Sequence, residues 1–537
     1  MNYTLAINPA VEGFGTHDPA AVLFADGDLV FGVEEGRLLG RKRAPETFPT
    51  ASIRRCLDSA GVTIEAVDRV LVPWEQPIGG TGGDARSERN RAAIERRLTE
   101  VGRPTPPIEL WNHHRCHAES AAGPSGFEEA LVVTADGRGG QDSTVVWHAA
   151  DGRLERIERY PAPNSLGYLY AAVTGYLGFQ PFRGEGKVMA LAPYGESAAE
   201  TALRGALEGG PAYDVTPLVG SGVPTAITRL ESLLDVPRAV DRNTFDSRQQ
   251  ALAHDVQTFL KETVVSIVET HCAELGLDRV CLAGGVALNC KLNQRIAALD
   301  AVEELFVQPV AHDAGAAVGA ALAAGVVREL PRTLYWGPSA QTSAVEGLLD
   351  RRRIDYSTPE NLVERTAELL AEGQLIGWFQ GRLEAGPRAL GNRSILADPR
   401  SPAARERVNG YVKGRASWRP FAPSVPVESA ARYFEGPLPT PYMIRTLDTN
   451  AHGRTRVPAV VHPADGTART QTVRRTDNPR FHRLLTAVGE QTGVPVLLNT
   501  SLNASGDPIA ATPEDALSVF HETGLDALVI ENCLLEA

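Results

Sequence analysis

Apolar and polar positions along the chain fall into short strand-like runs separated by longer stretches with helical spacing. Residues 4–8, TLAIN, predict a strand, and residues 20–35, AAVLFADGDLVFGVEE, predict a hairpin turning on Asp26-Gly27. From Ala130 the pattern returns: ALVVTAD is followed by QDSTVVWHAADGRLERIERY, again a strand and a hairpin, now turning on Asp151-Gly152. Further on, DRVCLAGGVALNCKLNQRIAAL predicts a buried strand, a Gly284-Gly285 turn and a helix starting around Ala287. Asp313 opens HDAGAAVGAALAAG, a small-residue helix able to pack closely under a ligand. Residues 335–358 are polar and punctuated by Gly and Pro, which predicts a connection between domains. Beyond it come a helix (NLVERTAELLAEG), a strand (LIGWFQG), a strand (VPVLLNTS), a helix (PEDALSVFHETG) and a strand (LDALVIEN). Two domains are expected, over residues 1–340 and 355–537.

Two three-stranded units, each followed by helices, form the layout of the duplicated actin-like (ASKHA) ATPase fold, so an α/β class is expected. A length of 537 residues with 43% hydrophobic positions exceeds what one core supports. The net charge of -13 removes the positive field that nucleic acid or an anionic membrane requires, so neither is an expected partner. The six cysteines form no CxxC pair, which fits free thiols in a reducing compartment. No apolar run reaches the roughly 18 residues of a spanning helix. MNYTLAINPAVEG lacks the basic and apolar regions of a signal peptide. A cytoplasmic location is expected.

Against the acidic balance, the last third of the chain concentrates Arg388, Arg393, Lys413, Arg415, Arg419, Arg469, Asn499 and Ser501 among apolar, Pro and Gly neighbours. A single arginine in such surroundings pairs most often with a carboxylate. Four segments of this character predict a local anion pocket, because planar guanidinium forks match phosphate and carboxylate oxygens.

A second constellation lies in residues 112–122, NHHRCHAESAA, which predict a helix capped by Asn112 and stopped by Gly123-Pro124. His113 and His117 share a face at four-residue spacing. Asp136, at the end of its strand, is a third candidate ligand and Asp313 a fourth, with His114 pointing away. Two imidazoles with carboxylates suit Fe, Zn or Mn better than Ca or Mg. On spacing alone, such a pair is more often a solvated or capping arrangement than a metal site.

With HHRCH, ADGRGG, GEGKVMALAPYG, AGGVALNC, HDAGAAVGAAL, GPRALGNRSIL, WRPFAPS, DGTARTQTV and NTSLNASGDPI in this order, the chain resembles the O-carbamoyltransferases of the NodU/CmcH type over nearly its whole length. The resemblance implies an N-terminal actin-like domain, similar to threonylcarbamoyl transferases, and a C-terminal YrdC-like α/β domain. It implies that ATP, with Mg, and carbamoyl phosphate form carbamoyl adenylate with loss of pyrophosphate. Arg388, Lys413, Arg419, Arg469, Asn499 and Ser501 would hold these phosphates. Transfer to a hydroxyl of a small-molecule acceptor, such as an antibiotic or other secondary metabolite, would then occur in the actin-like domain. There the resemblance puts a divalent metal, Fe foremost, on His113, His117, Asp136 and Asp313. Gly284, Gly285 and Asn289 would line the nucleotide, Lys187 the site, and His17 would be the general base. A homodimer is among the assemblies expected.

Three departures from the family pattern stand out. An EEER run is here Glu34-Glu35-Gly36-Arg37, one extra residue separates His462 from Asp465, and residues 13–16, beside the acceptor site, follow no fixed pattern. His462 therefore receives no role. The same domain types also compose tRNA-modifying enzymes, which the net charge disfavours, and the actin-like half alone would suit a non-catalytic ATPase, which leaves the arginines unexplained.

Overall fold

The computed structural model describes residues 1–11, 14–15, 17–75, 84–195 and 202–537. Gly13 and Thr16, in the segment beside the expected acceptor site, lie outside the described residues. The chain divides into two compact units. One is Met1–Glu35 with Arg43–Leu330, the other Gly36–Lys42 with Pro331–Ala537.

The first unit contains two five-stranded sheets. The first comprises β1 (Tyr3–Asn8), β2 (Ala20–Ala25), β3 (Asp28–Glu34), β4 (Val67–Val72) and β5 (Ile108–Leu110) in the order β3-β2-β1-β4-β5. The second comprises β6 (Glu129–Gly139), β7 (Asp142–Ala150), β8 (Arg153–Pro161), β9 (Arg279–Ala283) and β10 (Glu304–Val307) in the order β10-β9-β6-β7-β8. In each, the first strand pairs antiparallel with the next and parallel with the fourth: β1 with β2 and β4, β6 with β7 and β9. The second sheet thus repeats the first strand for strand, in the duplicated actin-like arrangement. Central strands such as β2, AAVLFA, are buried throughout. The edge strand β8, RLERIERYP, is mostly exposed and charged, which discourages further strand pairing.

Two helices matter most for function. His113–Ser125 is capped by Asn112, whose Oδ1 accepts from Arg115 N at 2.9 Å. It continues past the stop expected at Gly123-Pro124 and ends before Gly126, at φ 77°. Pro124 cannot donate to the Ser120 carbonyl; the Gln308 amide donates to it instead, so the last turn survives. Asp313–Ala323, DAGAAVGAALA, packs against this helix so tightly that a Cβ on Gly319 would sit 1.7 Å from the Cys116 carbonyl oxygen. The helix expected near Ala287 begins later. A 3-10 turn spans Gly285–Leu288, and Cys290–Ala297 follows because Asn289 Oδ1 caps it, accepting from Leu292 N at 3.1 Å.

The second unit is built on a seven-stranded mixed sheet. Its spatial order is Gln471–Val473, Ala422–Pro426, Leu497–Ser501, Arg393–Ala397, Ile376–Phe379, Ala527–Ile530, Cys533–Glu536. Helices Leu362–Ala371 and Pro479–Thr492 cover one face through Val363, Leu370, Phe481 and Leu484 against Ile376, Trp378 and Leu396. Phe379, Ile395, Leu498 and Leu528 fill the other. Part of the segment expected to be a connection is instead the helix Thr342–Arg352. Its Val345, Leu348 and Leu349 recur at helical spacing and enter this second core, a pattern hidden by the surrounding Gly, Pro and Arg. All six cysteines are free and buried. Among the described residues, no helix is long and apolar enough to cross a membrane.

Candidate functional site

His113 and His117, one turn apart on the first helix, converge with Asp136 at the bend of β6 and Asp313 at the start of the second helix. His113 Nε2 lies 3.1 Å from His117 Nε2, 3.5 Å from Asp136 Oδ2 and 3.8 Å from Asp313 Oδ1. His117 Nε2 lies 3.3 Å from Asp136 Oδ2 and 3.9 Å from Asp313 Oδ1. Ligands at ~2.1 Å from one ion are separated by roughly 3.0–3.4 Å in octahedral or tetrahedral geometry, so the quartet could hold a divalent cation. The surroundings aim the donor atoms. His113 Nδ1 donates to the Pro73 carbonyl at 3.1 Å, which leaves the Nε2 lone pair toward the site. Trp74 stacks on the same ring at 3.8 Å. Gly137 N donates to Asp136 Oδ1 at 2.6 Å, leaving Oδ2 for the quartet. His114 turns elsewhere, to Thr134 Oγ1 at 3.0 Å and the Asp142 carbonyl at 3.1 Å, and burial pushes its imidazole down to about 3. Burial and the neighbouring Asp136 raise the Asp313 carboxyl. Asp136 is itself buried, but its histidine partners hold it well below the usual carboxylate range.

Gly284 and Gly285 are forced by close approach to β6. At φ 87°, a Cβ on Gly284 would meet the Ala135 carbonyl at 2.3 Å, and one on Gly285 would meet Asp136 Oδ1 at 3.0 Å. The expected nucleotide glycines therefore abut the quartet. Besides capping its helix, the Asn289 side chain exchanges hydrogen bonds with Gln257, at 2.9 and 3.2 Å. Lys187, on helix Glu185–Leu191, lies over the Phe179 ring at 5.1 Å.

His17 sits beside a carboxylate that is itself anchored. Its Nδ1 is 2.9 Å from Asp18 Oδ2, and Arg43 donates to the same carboxylate through Nη2 at 2.7 Å and Nε at 3.0 Å. Burial and Arg43 depress the His17 imidazole, but Asp18 and Asp313 outweigh them and hold it above its ordinary value. The expected base is thus strengthened.

In the second unit, the arginine segments separate into two kinds. Arg393 is not available to the expected anion pocket. Fully buried, it spends its fork on the carbonyls of Gln380, Asn392, Pro338 and Gly381 at 2.7–3.0 Å and stacks on Phe379 at 3.4 Å. Arg415, Arg419 and Arg469 instead crowd one another. Burial, then Arg419 and Arg469, push Arg415 down to about 8; burial, then Arg469, push Arg419 down to about 10. Lys413 is buried and held well below its ordinary value by burial and by Arg415, Lys42 and Arg419. Its ammonium donates to the carbonyls of Ser501 and Asn503 at 2.7 and 2.8 Å and to Asn503 Oδ1 at 2.9 Å, bracing the loop that Ser501 opens. Asn499 donates to Ser424 Oγ at 2.9 Å, Gln471 Oε1 at 3.1 Å and the carbonyl of Ala389 at 3.4 Å, which ties in the residue beside Arg388.

Residues 89–322 match the model described as Carbamoyltransferase N-terminus, and residues 367–537 match Carbamoyltransferase C-terminus. The chain is 37% identical to nodulation protein NolNO of Sinorhizobium fredii over 550 residues, covering 97% of this chain and 79% of that one. It belongs to the carbamoyltransferase family. This carbamoyltransferase is also 30% identical to 3'-hydroxymethylcephem-O-carbamoyltransferase of Amycolatopsis lactamdurans, over 78% of each chain. It is 35% identical to an uncharacterised protein of Synechocystis sp., over 97% of this chain and 95% of that one.

Sequence reading missed several neighbours that shape the carbamoyltransferase's sites. Arg43 and Trp74 reach His17 and His113 only through the fold. Asp18 directly follows His17, and that adjacency was the available signal. Glu384, fully buried, accepts at Oε1 from Leu390 N and Asn392 N at 2.8 Å and from Arg393 N at 3.0 Å, gathering the loop that carries Arg388. Its place two residues before GPRALGNR was the only hint.

Proposed function

We propose that this carbamoyltransferase makes carbamoyl adenylate from ATP and carbamoyl phosphate in its C-terminal domain. The N-terminal domain then passes the carbamoyl group to a hydroxyl of a small-molecule acceptor. The carrying observation is the crowding of Arg415, Arg419 and Arg469. Arg419 has no ion pair and no side-chain hydrogen bond among the described residues, and mutual repulsion with burial depresses Arg415 and Arg419. Arg419, part-buried beside other cations, is costly unless an anion faces it.

The first step needs several phosphates close together. Water cleaves the carbamoyl–phosphate link, releasing orthophosphate and carbamate; a carbamate oxygen then attacks the α-phosphorus of ATP, whose Mg-bound pyrophosphate leaves. Arg388, Arg419 and Arg469 would neutralise the charge on these oxygens, while Lys413, Asn499 and Ser501 hold the loop and strand beside them.

In the second step the acceptor oxygen attacks the carbamoyl carbon, AMP leaves, and His17 takes the hydroxyl proton. His17 suits this role because Asp18 fixes its ring and strengthens it as a base. Gly284 and Gly285 give a phosphate access beside Asp136; Asn289 and Lys187 stand as further lining residues by resemblance. His113, His117, Asp136 and Asp313 would hold a divalent cation, Fe before Zn or Mn by resemblance. When bound, it supplies Lewis-acid polarisation and orientation of the adenylate.

The test is a split of half-reactions. Without acceptor, the wild type should release pyrophosphate from ATP only when carbamoyl phosphate is present, and mass spectrometry should detect carbamoyl adenylate. Arg388→Ala should abolish both, whereas His17→Ala should retain them. ATP hydrolysis to ADP regardless of carbamoyl phosphate would sink the reading.

A further inference from the structure

Phe182 adopts φ 63°, a left-handed conformation that a bulky side chain occupies only when its surroundings over-determine it. The constraint is visible. Its backbone N–H donates to the Glu185 carboxylate, and Phe182 is the third residue of a turn, Gln180-Pro181-Phe182-Arg183, closed by Arg183 N donating to the Gln180 carbonyl at 3.1 Å. The twist brings a part-exposed ring to within 6.3 Å of the His17 ring, tilted by 42°. Tyr168 meets the same ring edge-on at 5.8 Å. Both aromatics press on Gly137, next to Asp136: a Cβ there would lie 3.1 Å from Tyr168 Cε1 and 3.7 Å from Phe182 Cε1. Tyr168 is fixed in turn, because Ser165 Oγ caps its helix at Tyr168 N, 3.0 Å, and donates to the Gly137 carbonyl at 2.6 Å. Asp18 and Arg43, on the other flank of His17, also have positive φ, 56° and 63°. Backbone strain therefore concentrates around the expected base.

We infer that Phe182, backed by Tyr168, is a specificity-determining wall of the acceptor subsite, selecting a hydroxyl borne next to a ring with an apolar face. The inference rests on the carbamoyl-transfer reading with His17 as base. A hydroxyl delivered to His17 carries its carbon skeleton along with it, and Phe182 and Tyr168 are the rings against which that skeleton would lie. An aromatic wall favours a flat apolar ring over a short alkyl chain. The adenine ring is the competing occupant; Gly284 and Gly285, which meet Ala135 and Asp136, argue for the nucleotide on their side of the quartet.

Phe182→Gly separates function from folding, because glycine accepts the left-handed backbone without strain. Full-length protein would be given ATP, Mg²⁺ and carbamoyl phosphate, with ethanol or benzyl alcohol as probe acceptor, and the carbamate ester followed by mass spectrometry. The wild type should prefer benzyl alcohol by at least about tenfold in kcat/KM, equivalent to ~1.4 kcal/mol. Phe182→Gly should lose that preference without melting lower, and Phe182→Tyr, which keeps a ring, should retain it. A wild type that carbamoylates benzyl alcohol no faster than ethanol, or a preference surviving in Phe182→Gly, overturns the inference. A kcat/KM lowered equally for both alcohols by Phe182→Gly, with acceptor-free pyrophosphate release unchanged, would give the ring to the adenine of the adenylate and also overturn it. Absence of carbamoyl-phosphate-dependent pyrophosphate release from the wild type is a different failure; it removes the proposed function and this inference together.

Discussion

Replacing Arg419 with alanine should make the ligand-free protein more stable and yet inactive. Arg419 stays charged at neutral pH although burial first, and Arg469 second, lower its affinity for the proton from 12.5 to about 10. At ~1.4 kcal/mol per tenfold, that difference corresponds to ~3 kcal/mol. Arg419 is only part-buried, and solvent screening reduces the cost carried by the folded state to ~1–2 kcal/mol. Among the described residues, no carboxylate pairs with Arg419 to offset it. Removing the side chain should raise the melting temperature of the C-terminal unit by roughly 2–4 °C per kcal/mol, the scale for about 200 residues. Carbamoyl phosphate at a hundred times its Kd should stabilise the wild type by ~2.7 kcal/mol, and Arg419→Ala should lose most of that gain. Differential scanning calorimetry with and without carbamoyl phosphate measures both effects, and pyrophosphate release measures the activity. Arg393→Ala is the internal contrast. It strips four carbonyls of their charged partner and should cost at least ~3 kcal/mol. A lower melting point for ligand-free Arg419→Ala, or an undiminished response to carbamoyl phosphate, would refute the reasoning, because the guanidinium would then be bound by the protein itself.

Two further outcomes concern the first unit. Purified protein should hold about one divalent ion per chain by elemental analysis, and His117→Ala should fall below about a tenth of that after dialysis, since a three-ligand remnant binds far more weakly; equal content in both proteins would exclude the quartet. Gly319→Ala pushes a methyl group to 1.7 Å from the Cys116 carbonyl oxygen, so the helices bearing His113, His117 and Asp313 must separate. It should cost about 1–3 kcal/mol or more and lower ion content as well, and a variant with wild-type melting and wild-type ion content would show that the close helix contact is dispensable.

Much of this architecture was legible locally. Asp26-Gly27 and Asp151-Gly152 mark the hairpins because few residues tolerate that turn geometry, and their recurrence exposed the duplicated sheet. The spacing of His113 and His117 on one helix face suffices to suggest a site, since residues four apart are neighbours wherever the helix packs. Other features depend on distant partners. Pro124 stays helical only because Gln308 replaces the missing donor, and Val345, Leu348 and Leu349 form a core helix only where a sheet covers them.

The arginine segments draw the line most clearly. By itself the sequence determined that cationic side chains sit in apolar surroundings near the C-terminus, because composition and neighbours are local properties. Which of them face an anion is a matter of partners, and those arrive from far along the chain. Four backbone carbonyls consume Arg393, whereas Arg415 and Arg419 meet another arginine, and only the tertiary structure separates the two cases. The same holds for Phe182. Its left-handed φ belongs to a local turn, with Pro181 ahead of it and Arg183 closing it, but that its ring meets His17, far off along the chain, is decided only by the tertiary structure.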